Sequence, residues 1–368
     1  MYPMMPPNRL TGKKARRPGC LSIFLLPKRL QSANILRFTL HNEELILRQV
    51  LFFPSITYFA MPMALLAMGM NLYHLQQMLH WHSDMARFIV AYGLLALLIL
   101  SLFYFPHLFR RSRQVLVKEW RHPFQLSFFP LMSISWFFSA YFLVRYVPSY
   151  AQIGVTLFWM VLTVHALLNL ILLNRWLFDH QLTLDHMRPS WFILLSGNFV
   201  AVLVGLELVG QQEWMWLFYS AALFMWFIFA AVLLYRLIFI APIEEQYRPS
   251  LFIFLAPPSL ASIAALQLFA NPWHLAVWAP YGFACTMLAI WIISGRRFIR
   301  NGISMISWSY IFPLAAFGLA NQYLYATLHR SFFLMVALAV LGGMVLLAAL
   351  ITGWLIRVAV ERIRSKFA

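Results

Sequence analysis

The chain has 368 residues, 62% of them apolar, and a formal net charge of +17 at pH 7. Soluble domains are about 45–50% apolar, so this composition, with a mean hydropathy of +0.74, excludes an ordinary soluble domain. The charge would suit nucleic acid, but its distribution along the chain points to a membrane topology instead.

Residues 1–47 are basic and Pro-rich and read as a partly disordered cytoplasmic tail. Their apolar run from Leu21 to Leu26 is too short to span and is followed by no small-residue cleavage site, so no signal peptide is expected. Residues 48–360 hold ten windows of about the 20 apolar residues that a crossing helix needs. The windows lie near 50–78, 86–109, 123–147, 150–174, 190–210, 214–240, 249–270, 273–294, 303–327 and 331–358. Residues 361–368 form a short second tail. With both termini cytoplasmic, 25 of the 28 Lys and Arg fall on the inner side, leaving Arg87, Arg145 and Arg330 outside. This is the positive-inside pattern of a multi-pass protein, here assigned to a bacterial inner membrane. The basic charge thus reports topology and attraction to the lipid surface, and no nucleic-acid partner is expected.

Arg48, Arg121, Arg188, Arg248 and Arg300 each precede a long apolar segment, at spacings of 73, 67, 60 and 52 residues. Each interval holds two spans, so the unit is a helical hairpin repeated five times. The odd spans carry Pro62, Pro130, Pro257 with Pro258, and Pro313 after their starts, while the fifth has only Pro189 at its entrance. An interior proline removes an N–H and frees a carbonyl four residues back, and lipid tolerates that where protein or a water-filled cavity satisfies the freed groups. The expected fold is therefore an all-α membrane protein with kinked odd helices in an inner pore ring and straighter even helices outside. Proline is also commoner in membrane helices generally. The arginines, together with His122, would form an anion-attracting mouth, besides anchoring the helix ends.

Polar residues inside the spans are few. Glu207, near the outer end of the fifth, is the one carboxylate well inside an apolar run. It reads either as a pore-facing or proton-linked group or as an interfacial acid that reaches water. Asn198 and the serines of the odd helices, among them Ser133, Ser135, Ser139, Ser196 and Ser259, could line a polar path or bond between helices. His165, near Asn169, reads as a buried histidine bonded to a neighbour; no second histidine lies at matching depth for haem. Cys20 and Cys285 offer neither a disulfide framework nor a metal pair. No nucleophile–base set, phosphate loop or metal motif is present, so no enzyme, cofactor or metal site is expected.

Three segments carry a family resemblance: Glu119-Trp120-Arg121-His122-Pro123, Gly197-Asn198-Phe199, and Trp308-Ser309-Tyr310-Ile311-Phe312-Pro313. With five hairpins and proline-bearing odd helices, the chain resembles the tellurite-resistance/dicarboxylate transporter family, which includes bacterial TehA and is related to the slow anion channels of plant guard cells. The Phe-Pro pair is more similar to the plant channels. The resemblance implies a homotrimer with one pore per subunit, and a pore plugged by the phenylalanine matching Phe312. It implies passage of small anions, with chloride, nitrate, a tellurite-type oxyanion or a dicarboxylate as candidates. Glu207, Trp136 and Phe254 depart from an open anion pore. The rival readings are a proton-coupled dicarboxylate carrier using Glu207, an efflux permease for lipophilic cations, and a non-transporting membrane anchor subunit.

Overall fold

A computed structural model describes residues 54–105, 113–179, 182–240, 242–300 and 302–367. The basic tail of residues 1–47, with Cys20, and Arg48 lie outside the described residues. Among those described, every regular element is helical. Ten long helices follow one another: α1 Ala60–Met78, α2 Met85–Tyr104, α3 Pro130–Tyr146, α4 Ala151–Phe178, α5 Phe192–Val209, α6 Glu213–Phe239, α7 Ala256–Phe269, α8 Leu275–Ile293, α9 Ile311–Leu328 and α10 Ser331–Phe367. Lipid offers backbone groups no partner, so each segment must satisfy them internally, and a helix does so.

Consecutive helices pair as hairpins: α1 with α2, α3 with α4, α5 with α6, α7 with α8 and α9 with α10. The odd helices also close a ring, α1–α3–α5–α7–α9 and back to α1. Burial separates the two sets. The apolar windows of α1, α3, α5 and α7 are 72–83% buried and those of the even helices 17–33%. The outer faces, with Phe88, Leu102, Leu170, Leu177 and Ile293 exposed, are suited to lipid.

Nine described helical segments are long and apolar enough to cross a membrane, counting each helix with its entrance turn. The expected tenth crossing corresponds to α9, which packs between α1 and α7 but does not pass on apolarity. Its 18 residues include Asn321, Gln322, Tyr323 and Tyr325. Asn321 and Gln322 are wholly buried and bonded: Gln322 Nε2 donates to Asn71 Oδ1 (3.0 Å), Asn71 Nδ2 to the Ala315 carbonyl (3.0 Å), and Tyr281 OH to Asn321 Oδ1 (2.8 Å). These side chains bind α9 to α1 and α8. Gly318 permits the close approach, because a Cβ there would lie 2.6 Å from Asn71 Nδ2.

The prolines do not act as interior kinks. Pro130 opens α3, Pro257 and Pro258 fall in the first turn of α7, and Pro62 and Pro313 are third residues of α1 and α9. A first-turn proline forgoes at most the bond its N–H would make back to the entrance segment and interrupts none in the rest of the helix, so it costs little there. Upstream the chain runs as 3₁₀ helix at Ile56–Phe59, Pro189–Trp191, Glu245–Leu255 and Met305–Tyr310. The 14-residue α7 rises only ~21 Å, short of the ~30 Å hydrocarbon, and the Glu245–Leu255 stretch supplies the remainder at ~2 Å per residue. The 3₁₀ entrances of α5, α7 and α9 pack on one another and gather one end of the ring. Among the described residues only Pro280, in α8, is interior to a long α-helix.

Candidate functional site

Two cavities lie inside the ring, and residues from all five odd segments wall both. The larger, of about 570 Å³, is lined by Ala67, Met70 and His74 of α1, Phe138 and Tyr141 of α3, Val200, Leu203, Val204 and Glu207 of α5, Leu260 of α7, and Phe312, Ala315, Ala316, Leu319 and Tyr323 of α9. The smaller, of about 250 Å³, is lined by Ala60, Met63, Phe128, Leu131, Ile193, Ile253, Ser309, Phe312 and Pro313. Its residues precede those of the larger cavity by about two to three helical turns on the α1, α3, α5 and α7 segments and meet them at Phe312 on α9, so the two stack along the ring axis. Phe312 is the one residue lining both, and it is 3% exposed.

The walls are more apolar than the sequence suggests. Ser135 and Ser139 of α3, Ser196 of α5 and Ser259 turn their hydroxyls onto carbonyls four residues back (2.8–2.9 Å), and none lines either cavity. A hydroxyl in hydrocarbon needs an acceptor, and its own helix supplies one at no ordering cost. Asn198 bonds between helices, one of the two readings its sequence position allows. Its amide donates to Asn169 Oδ1 (3.0 Å) on the outer helix α4, and it lines neither cavity. Beside it, wholly buried His165 pairs with Ser133 Oγ (2.8 Å). Ser133 Oγ also donates to the Pro130 carbonyl (2.9 Å). Phe254 packs between Phe192 and Phe283, with centroids 5.0 and 5.3 Å away, and Trp136 is half-buried; neither lines a cavity, so neither narrows them.

Glu207 does line the larger cavity, yet it is not isolated. It forms an ion pair with Arg145 at the end of α3, with side chains 31% and 38% exposed. The carboxylate is thus interfacial and paired. Arg145 also lines a third, open depression of about 850 Å³ with Tyr73, Gln76, Gln77, Trp81, His82, Ser83, Asp84, Arg87 and Tyr146. Arg145 was legible in the sequence only as one of three cations on the sparsely charged side. An Arg and a Glu near the ends of neighbouring odd helices were the available signal.

At the opposite, basic end the predicted arginines are only partly free. Arg188 donates to Glu244 (3.1 Å) and stacks over Tyr247 and Phe124, 4.7 and 5.6 Å from the centroids. Arg248 pairs with Glu245 at 2.9 Å. Arg121, His122 and Arg300 are exposed. Two acids missed in the sequence, Glu244 and Glu245, therefore offset part of the expected positive mouth. His122, outside the spans, titrates below its ordinary value of 6.5 because of partial burial and then the cations Arg188, Lys118 and His186. Glu119, in the segment that carries the resemblance, is 4% exposed and serves packing: it accepts from Ile56 N (3.1 Å) and Tyr104 OH (2.9 Å), fixing the entrance of α1 against α2. Among the described residues no cluster of His, Cys, Asp or Glu has the grouping of a metal site.

A family model described as "Voltage-dependent anion channel", SLAC1, matches residues 54–356. The S-type anion channel SLAH3 of Arabidopsis thaliana is 26% identical over 247 residues, covering 64% of this chain and 37% of that protein. The S-type anion channel SLAH2 of the same plant is 25% identical over 211 residues, 54% of this chain and 38% of that protein. An uncharacterized transporter of Methanocaldococcus jannaschii is 22% identical over 226 residues, 56% of this chain and 65% of that protein. The aligned part thus spans between about a third and two-thirds of these relatives.

Proposed function

Because this chain belongs to the SLAC1 voltage-dependent anion channel family, we propose that it passes small anions along the axis of the odd-helix ring, with Phe312 as the gate. The observation that carries this reading is the shared wall: Phe312 is the one residue that lines both cavities stacked on that axis. A phenyl ring offers an ion nothing to coordinate and can clear the path by a change of rotamer, and apolar constrictions of this kind gate by dewetting. The basic end is the cytoplasmic mouth, where Arg121, Arg188, Arg248, Arg300 and His122 raise the local anion concentration. Both termini are cytoplasmic in a bacterial inner membrane, and the assembly is a homotrimer. Chloride and nitrate head the candidate species, ahead of a tellurite-type oxyanion or a dicarboxylate, since a largely apolar and aromatic wall whose ionisable groups are His74, Tyr141, Tyr323 and Glu207 offers a doubly charged ion no arginine or lysine.

The test is chloride efflux from liposomes holding the purified protein, as wild type and as Phe312→Ala. Removing the ring is expected to raise the rate about tenfold or more, equivalent to ~1.4 kcal/mol of barrier. Background flux in both proteins would overturn the gated-path reading.

The rival carrier reading needs a carboxylate free to exchange protons with the path. The Arg145–Glu207 ion pair weighs against it, because the carboxylate is engaged by a fixed arginine rather than left open to the path.

A further inference from the structure

Arg145 and Glu207 meet where the larger cavity ends, and they belong to different compartments. Glu207 lines the intramembrane cavity, whereas Arg145 lines the polar depression on the face opposite the basic mouth. That depression holds two arginines, and each is matched by one carboxylate. Arg87, in the first turn of α2, is held by Asp84 at the start of that helix (2.9 Å) and lies over Tyr146 (5.7 Å to the centroid). Arg145 lies over Tyr141 (5.4 Å) and takes its counter-charge from Glu207, a residue of another helix that reaches it from the cavity side. The groups facing Glu207 across the cavity are Tyr141 of α3, His74 of α1 and Tyr323 of α9. His74 is itself engaged by Gln322 Oε1 (3.0 Å) and stacked on Tyr323 (4.4 Å between centroids). Arg145 is thus the fixed cation facing the carboxylate.

We propose that Arg145 is the cation of an anion-binding site at this mouth and that the Glu207 carboxylate is its tethered occupant, closing the larger cavity until a diffusing anion takes its place. A carboxylate and a small inorganic anion offer the same guanidinium the same partner, so one displaces the other without leaving the arginine unpaired, which is the costly alternative. A half-exposed ion pair contributes little to stability, so its position at the junction of two compartments calls for a different account. The ligand class is a small monovalent anion that one guanidinium can hold. The inference rests on the proposed anion path for its purpose, while its binding step can be measured without any flux.

The experiment is chloride titration of the purified full-length protein in detergent, followed by calorimetry, for wild type, Glu207→Gln, Glu207→Asp, Arg145→Gln and the Arg145→Gln/Glu207→Gln double variant. Removing the tethered charge is expected to tighten the apparent chloride dissociation constant about tenfold in Glu207→Gln. Glu207→Asp, which keeps a carboxylate, should stay near wild type. The tightened component should vanish in the double variant, as it lacks the arginine. Variants are compared only at equal elution volume and Tm. A Glu207→Gln protein that binds chloride no more tightly than wild type, or an Asp variant that behaves like Gln, would overturn the proposal. Efflux in the Phe312→Ala background separates the two ideas. Efflux there with no change on adding Glu207→Gln counts against the tethered occupant alone, whereas no efflux at all counts against the path and leaves the binding result standing.

Discussion

At the scale of single residues, buried polar groups in this protein are placed by the need for a partner. Glu119 and His165 are buried and bonded, and Gln322 is satisfied through Asn71. Gly197 leaves room for the His165 ring, since a Cβ there would lie 2.7 Å from its Nε2. Gly197→Ala is therefore expected to destabilise the protein by about 1–3 kcal/mol through overpacking, read as a lower Tm in detergent without change in oligomeric mass. His122 gives a pH dependence with a definite sign. Partial burial and then the neighbouring cations lower its affinity for a proton. The unfolded chain consequently binds the proton first as pH falls, so its contribution to stability is present above about pH 6.5 and declines below it. For function the same shift means that His122 adds charge to the basic mouth only on the acid side of the ordinary histidine range. Chloride efflux at low ionic strength should rise with acidification there, flatten in His122→Ala, and lose the effect at high salt.

At the scale of elements, the odd and even helices differ in how they begin more than in how they run. Four of the five odd helices are led by a 3₁₀ segment, and α3 instead by the short helix Pro123–Leu126. Proline sits where the geometry changes. The repeat of arginine followed by proline was legible in the sequence; its meaning as a helix entrance was not, because a proline's effect depends on which turn it occupies. The distinction is measurable. Pro130→Ala removes no intrahelical acceptor problem and adds only chain freedom to the unfolded state, so stability should change by less than about 1 kcal/mol. Relief of an interior kink would instead bring a change of about 3 kcal/mol, and Tm in detergent distinguishes them.

At the scale of the whole molecule, five hairpins closing into a ring make an interior whose walls come from α1, α3, α5, α7 and α9 and the segments that lead into them. The ring requires α9 to cross although, among the described residues, it is the one long helix that falls short on apolarity even with its entrance turn. Gly302 and His329, both exposed, bracket it. With Cys20 and Cys285 replaced by Ser, a cysteine at His329 should be labelled by a membrane-impermeant maleimide added outside intact cells, and one at Gly302 only after permeabilisation. Labelling of both from one side would remove α9 from the crossing helices and reverse the reading of the ring.

The sequence by itself determined the membrane class, the hairpin repeat, the division into inner and outer helices and the charge asymmetry between faces. Each of these follows from local composition and spacing, since apolar length and Lys/Arg placement act segment by segment. The tertiary structure decided which side chains face the axis. Serines that looked pore-lining bond to their own helices, Asn198 turns to α4, and Glu207 finds Arg145 across two helices. These outcomes depend on helix rotation and on partners 29–62 positions apart in the chain. In a chain whose odd helices are apolar on nearly every face, no hydrophobic periodicity encodes that rotation; packing between neighbours sets it.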